Sequence, residues 1–175
     1  MIYKEEVRDL FTVPQGYILA HCISGDFNLG GGIAKQFCEY YNMKEKLISN
    51  YIEATNEVGE ALPIENVYNL VTKGKVYEHP TYDNLRKALI DMKDMMVERQ
   101  QLKLAMPKIG CGLDGLDWNI VRAIIKEVFE DIDIEILICV KDDDKEELEE
   151  DTEENEINKD FLDALQFALD VFGKK

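Results

Sequence analysis

Tyr17-Ile18-Leu19-Ala20-His21-Cys22-Ile23, followed by Leu29-Gly30-Gly31-Gly32-Ile33-Ala34 and on to Tyr41, is the stretch that decides how this chain folds. The first run is almost continuously apolar, the pattern of a strand covered on both faces in a parallel sheet. Three consecutive glycines make a turn, and a helical stretch from about Ile33 to Tyr41 follows it. Strand, glycine turn and helix in that order open a β/α unit.

The same alternation continues outward. Ile2–Tyr3 reads as a strand before this unit, and a second helical stretch after Asn42 puts Leu47, Ile48 and Tyr51 on one side. Val67–Thr72 is β-rich. Thr81 and Asp83 are candidate N-caps for an amphipathic helix over about 82–99, where Leu85, Leu89, Met92 and Met96 recur at helical spacing. Leu102–Met106 reads as a short strand ended by Pro107. A loop over Gly110–Gly115, a helix over Val121–Phe129 and a final apolar strand over Ile134–Val140 complete the pattern. Trp118 and Phe129 read as core. The expectation is an α/β fold in three layers, α/β/α, with a mixed or mostly parallel central sheet and helices on both faces.

Composition bounds the rest. The chain has 175 residues, a net charge of −16, 46% hydrophobic and 32% charged residues. That length suits one domain of roughly 100–200 residues, and no apolar run approaches the ~20 residues of a membrane span. The start, Met1-Ile2-Tyr3-Lys4-Glu5-Glu6, lacks the profile of a signal peptide. Cys22, Cys38, Cys111 and Cys139 are widely spaced with no Cys-x-x-Cys pair, so reduced thiols and a cytoplasmic location are expected. His21 and His79 are far apart in sequence and in no ligand motif, so no metal is expected. Residues 141–160 carry 12 acids against three lysines, a local net of −9. The boundaries that follow are a domain over 1–140, an acidic linker over 141–158 and a C-terminal helix over 159–175. In that helix Phe161, Leu165, Ala168, Leu169 and Phe172 share one face, suited to docking on the body or to contact with another protein. A field of this sign opposes contact with nucleic-acid phosphates.

Two glycine loops, 30–32 and 110–112, each follow a predicted strand and precede a predicted helix. Glycine lets backbone N–H groups come close to a ligand, and a helix N-terminus adds unpaired amides that favour an anion. Together they could clamp a diphosphate with no lysine, or be two tight turns. Neither is a Walker A sequence or a Gly-x-Gly-x-x-Gly fingerprint.

His21-Cys22-Ile23-Ser24 with Gly30-Gly31-Gly32-Ile33-Ala34, then Thr72-Lys73, Pro80-Thr81-Tyr82-Asp83-Asn84-Leu85 and Met106-Pro107-Lys108-Ile109-Gly110-Cys111-Gly112-Leu113-Asp114, resemble a macro domain. Within that family they resemble the terminal ADP-ribose protein glycohydrolase branch. The likeness runs from about residue 2 to 140 and leaves out the acidic segment and the last helix. It implies an ADP-ribose cleft at the C-terminal ends of the strands, with ADP-ribose or an ADP-ribosylated protein as partner and no cofactor. Asp9 matches the family acid that reads the adenine amino group, with Leu10 in the same pocket. The family usually has glycine before that acid, where this chain has Arg8. His21, Ser24 and the Gly30, Gly31, Gly32, Ile33 run match the distal ribose and phosphate segment. Thr72 adjoins it, and Lys108, Ile109, Gly110, Cys111, Gly112 and Leu113 match the second phosphate loop.

Lys73 and Asp114 match the catalytic pair of that branch. The resemblance implies removal of ester-linked ADP-ribose from protein carboxylates or from O-acyl-ADP-ribose, with Lys73 attacking the anomeric carbon and Asp114 as acid or base. An amine attacks only in its neutral form, which desolvation or nearby positive charge favours, and Lys75 is a candidate for the latter. On the residues alone, Lys73 also reads as a strand-end surface lysine, Asp114 as a turn residue, Asp9 as a cap, His21 as a satisfied core histidine and Cys111 as a small packing residue. A related branch, the ADP-ribose 1″-phosphate phosphatases, also carries a Gly-Gly-Gly-Ile-Ala run and uses histidine with aspartate. His21 therefore keeps phosphomonoester hydrolysis open, and a non-catalytic ADP-ribose reader is the third reading.

Overall fold

The computed structural model describes residues 1–51 and 57–144. The chain runs through β1 (Ile2–Val7), β2 (Ile18–Ser24), α1 (Gly32–Tyr41), α2 (Met43–Tyr51), β3 (Ala61–Ile64), β4 (Val67–Lys73), α3 (Tyr82–Glu98), β5 (Lys103–Pro107), α4 (Trp118–Phe129) and β6 (Glu135–Val140). The strands form one sheet in the order β1-β6-β5-β2-β4-β3. All neighbours are parallel except β3, which is antiparallel to β4.

Strand periodicity sorts the core into two layers. Ile18 and Ala20 of β2, Tyr68 and Leu70 of β4, and Ile136, Ile138 and Val140 of β6 pack with Leu85, Leu89 and Met92 of α3 and Val121 and Ile125 of α4. Their alternates Leu19, Ile23, Val67, Val71 and Leu137 pack on the other face with Phe37 of α1 and Met43 and Leu47 of α2. Successive side chains on a strand point to opposite faces, so a sheet buried on both sides reads as the continuous apolar runs seen in the sequence. The three-layer expectation is met. Of the acidic linker only Lys141–Asp144 are described, with a short 3-10 turn over Asp142–Asp144. The C-terminal helix expected over 159–175 lies outside the described residues.

Three elements differ from the reading of the sequence. β3 was not anticipated, because it is four residues long and contains Pro63. A proline is tolerated there because β3 is an edge strand with one unpaired side. β1 extends to Val7 although Lys4-Glu5-Glu6 hide it among charges. Its parallel pairing with β6 and the anchoring of Glu5 explain this: Tyr3, Trp118 and Arg122 all donate to the Glu5 carboxylate, Arg122 Nε at 2.6 Å. Burial by itself would raise the Glu5 carboxyl, but these hydrogen bonds outweigh it and hold the group below the usual carboxylate range. α4 starts three residues earlier than expected, at Trp118, because Asp117 caps it, its Oδ1 accepting from the amides of Asn119 and Ile120. For α3 the cap is Thr81, whose hydroxyl accepts from the Asn84 amide; Asp83 lies inside the first turn.

Candidate functional site

Parallel strands end together, and the loops that follow β1, β2, β4, β5 and β6 line one cleft at their C-terminal edge. It has two adjoining parts, of about 560 and 760 Å3. Ile33, Pro107, Cys139 and Val140 line both, so one extended ligand can occupy the two together. The strand order sets the sequence of features along it. Asp9, Leu10 and Phe11, just after β1, stand at one end; the glycine loops after β5 and β2 lie in the middle; Lys73, the last residue of β4, stands at the other.

At the first end, Asp9 Oδ1 accepts from the Phe11 amide at 2.9 Å and caps the 3-10 turn Leu10–Thr12. Asp9 is thus both a cap and a lining residue, and Leu10 is buried beneath it.

In the middle, α1 begins on the glycine run. Its N-cap is Gly31, with no side chain to satisfy the first-turn amides, whereas Thr81 and Asp117 cap α3 and α4. Uncapped N–H groups at a helix start opening on a cleft are donors for an anion. The second loop reaches across to the first: a Cβ on Gly31 would lie 3.0 Å from Leu113 Cδ1, so glycine is what allows this approach. Ser24 sits at the end of β2 with its hydroxyl donating to Asp26 Oδ1 at 2.6 Å. Asp26 also accepts from the amides of Asn28 and Val76, and so ties the loop after β2 to the loop after β4. Desolvation raises the Asp26 carboxyl, yet these three donors bring it below its ordinary value. Asp26 was not singled out from the sequence; an acid two residues beyond a strand-end serine is the signal, since Asx side chains bond backbone two residues on.

At the far end, Lys73 Nζ lies 2.5 Å from Asp114 Oδ1. The two side chains are only 13% and 16% exposed, so the pair is largely shielded from water while lining the cleft. Forty-one residues separate them in sequence. Cys22 lies alongside, its thiol pushed up to about 12 by burial first and then by the Asp114 carboxylate, which keeps it protonated. Cys111 donates to the Ile109 carbonyl at 3.3 Å.

The cleft therefore brings together Asp9, Leu10, Ser24, Gly31, Gly32, Ile33, Lys73, Lys108, Gly110, Cys111, Gly112, Leu113 and Asp114. Four expected ligand residues are not among its lining. Gly30 is exposed beside the cleft, and a Cβ there would lie 3.0 Å from Asn28 Oδ1. Thr72 is buried at the end of β4, and Ile109 has its side chain in the core beneath the loop. His21 is the plainest correction. It is fully buried on the α1 face of β2, stacked on Phe37 at 3.9 Å, with Nε2 2.7 Å from Asn69 Oδ1. Because Asn69 Nδ2 donates to the Leu62 carbonyl, its Oδ1 faces His21 and Nε2 carries the proton. Burial lowers the imidazole to about 4 despite that hydrogen bond. A neutral ring enclosed in the core does not reach a substrate, which removes His21 as a motive for the phosphatase reading and leaves the glycine run. Residues not foreseen include Cys22, Asn28, Val76, Tyr77, His79 and Trp118, which line the distal part. They come from four separate segments, and only their meeting in space marks them.

Gly110 tests how tightly the second loop is built. Its φ is +72°, and an added Cβ would meet Leu116 Cδ1 at 2.9 Å; at Gly112 nothing lies within 4 Å. Gly110→Ala is expected to cost about 1–2 kcal/mol of stability in denaturant titration, while Gly112→Ala stays within about 0.5 kcal/mol.

Among the described residues, no group of three or more His, Cys, Asp or Glu is placed to hold a metal ion. Nor, among those same described residues, is any helix long and apolar enough to cross a membrane.

Comparison with known proteins bears on this cleft. The sequence model of the macro domain family matches residues 20–125. The ADP-ribose glycohydrolase OARD1 of Bos taurus is 41% identical over 134 residues, which are 74% of this chain and 86% of that protein. Among solved structures, the macrodomain of Mycobacterium tuberculosis DarG is similar with a TM-score of 0.73 at 21% identity, over 79% of this chain and 97% of that one. Thermosipho africanus DarTG in complex with ADP-ribose has a TM-score of 0.70 at 16% identity, over 81% of this chain and 42% of that one.

Proposed function

This chain belongs to the macro domain family, and on that premise we propose that it hydrolyses ADP-ribose esters, on protein carboxylates or as O-acyl-ADP-ribose. The observation that carries the reading is the shielded Lys73–Asp114 pair at the far end of the cleft, 2.5 Å apart. In this reading adenine lies near Asp9 and the diphosphate over the uncapped start of α1 and the loop after β5. The distal ribose then stands over Lys73. Neutral backbone donors suit a dianionic ligand on a chain of net charge −16. The relative from Bos taurus, named an ADP-ribose glycohydrolase, supports the same reaction class.

The chemistry needs a neutral amine. Substrate closing over the pair removes the remaining water, and in a drier site a contacting ammonium and carboxylate interconvert with amine and acid by one proton transfer. Asp114 takes that proton. Lys73 Nζ then attacks the anomeric carbon, the bond from that carbon to the ester oxygen breaks, and the carboxylate leaves with its electron pair. Asp114 gives its proton to the departing carboxylate and is then free to act as base as water attacks the same carbon. The lysine leaves as a neutral amine and takes back from Asp114 the proton drawn from water. Nothing in this sequence of steps requires a metal.

The test is release of ADP-ribose from a protein carrying it on glutamate, with excess chelator present. Release by the wild-type chain is the expected result. Inorganic phosphate released from ADP-ribose 1″-phosphate with no ester cleavage would replace this reading with the phosphatase. Binding of ADP-ribose with turnover of neither substrate would make the chain a reader.

A further inference from the structure

At the C-terminal edge of β4 the segment joining β4 to α3 follows directly from Lys73. β3, the outer neighbour of β4, runs antiparallel to it, so residues 57–60, which lead into β3, share this edge, the Gly59 amide donating to the Val71 carbonyl. A ligand laid from Asp9 toward Lys73 can continue over the segment from β4 to α3, whose Val76, Tyr77, Glu78 and His79 line the same part of the cleft as Lys73. Exposure along this segment rises steeply: the Lys73 side chain is 13% exposed, Val76 39% and Tyr77 79%. Val76 and Tyr77 nevertheless line the same cleft as Lys73 and Asp114. With Leu113, 81% exposed in the same lining, they gather apolar surface at the mouth of the site, and grouped exposed apolar surface marks a place where something binds.

The loop that presents them is held rather than loose. Glu78 accepts from the amides of both Gly74 and Lys75 at 2.9 Å, and Asp26 accepts from the Val76 amide at 3.2 Å. Backbone bonds from Gly25 to Lys73 and from Asp26 to Gly74 join the same two loops. With Glu78 and Asp26 engaged in this way, the loop offers an aromatic and an aliphatic side chain as a positioned wall.

We propose that Val76 and Tyr77 form the leaving-group side of the site and bind the polypeptide that carries the esterified carboxylate. The proposal rests on the ester-hydrolase reading and names its substrate class. The rise in exposure from Lys73 to Tyr77 means that whatever touches Tyr77 is emerging from the cleft. A chain attached to the leaving carboxylate does so, whereas a two-carbon acyl group ends beside Lys73. A polynucleotide is the less suitable occupant, because the chain as a whole is strongly acidic and the lysines at this exit stand among the acids Asp26, Glu78 and Asp114. An aromatic ring is a rigid contact that costs little conformational entropy on binding, which suits a peptide wall.

The experiment compares kcat/KM for a short peptide carrying ADP-ribose on glutamate with kcat/KM for O-acetyl-ADP-ribose, in wild type, Tyr77→Ala and Tyr77→Phe. Tyr77→Ala is expected to lower the peptide-to-acetyl ratio roughly tenfold, through KM for the peptide. Tyr77→Phe keeps the ring and is expected to restore the ratio. An unchanged ratio in Tyr77→Ala, or an equal fall on both substrates, overturns the proposal while leaving the hydrolase reading in place. Turnover of neither substrate by wild-type chain that binds ADP-ribose overturns the hydrolase reading and the proposal together.

Discussion

Lys73→Ala is expected to abolish measurable release of ADP-ribose from an esterified protein, with kcat falling at least ~10²–10⁴-fold, the range associated with loss of a directly participating group. ADP-ribose affinity should change little, because the adenine end and the backbone donors of the two glycine loops are untouched. Lys73→Arg separates nucleophile from mere positive charge. Arginine can keep an ion pair with Asp114, but its guanidinium does not deprotonate in proteins, so it offers no neutral amine. Loss of turnover in Lys73→Arg equal to that in Lys73→Ala supports attack by nitrogen. Substantial activity in Lys73→Arg would reduce Lys73 to an electrostatic role. Asp114→Asn is the companion variant: it retains a hydrogen-bonding oxygen beside Lys73 and removes the base. Single-turnover kinetics on all three, with ADP-ribose binding by calorimetry, provide the check.

Phe37→Ala should be the most destabilising single change in the core facing α1, by about 3–5 kcal/mol. Phe37 is fully buried, stacks on His21, and meets Phe11 edge-on at 5.0 Å and Tyr41 at 5.7 Å. Against a total stability of ~5–15 kcal/mol for a domain, that loss brings unfolding within reach of mild denaturant. The variant also uncovers a pH effect. His21 titrates near 6.5 when unfolded and near about 4 when folded. The unfolded chain therefore binds more protons between those values, and stability falls as pH drops from about 6.5 toward about 4. The loss from this group reaches on the order of 3 kcal/mol at the acid end. Water admitted by Phe37→Ala should let His21 protonate in the folded state and flatten that fall. Urea titrations at pH 7 and pH 5 on wild type and variant measure it; an equal pH dependence in both would show that His21 is not the group responsible.

Much of the fold was legible because strands buried on both faces leave continuous apolar runs, and amphipathic helices such as α3 leave a stripe at helical spacing. β1 and β3 were the weak points. β1 holds Lys4-Glu5-Glu6, and only the partners from α4 and the pairing with β6 make those residues a strand. β3 has four residues and a proline, too little for a periodicity to show. Of the site, the two glycine loops were visible as loops after strands. That Leu113 reaches across to Gly31, or that α1 starts without a side-chain cap, was not.

His21 marks the limit most clearly. Next to Cys22 and Ser24, in a run that matches an enzyme family, it reads as a candidate at the site. Alternation along β2 instead turns it to the α1 face, where Phe37 and Asn69 enclose it, while its neighbour Cys22 lines the cleft. Residue types and their spacing were enough to determine the α/β alternation, the glycine turns and the family, because these depend on contacts close in sequence or on motifs read as strings. The ion pair of Lys73 with Asp114, the enclosure of His21 and the exposed wall at Tyr77 were decided by tertiary structure alone. Each depends on which face of a strand a side chain takes and on strands far apart in sequence ending side by side, and neither is encoded in any one segment.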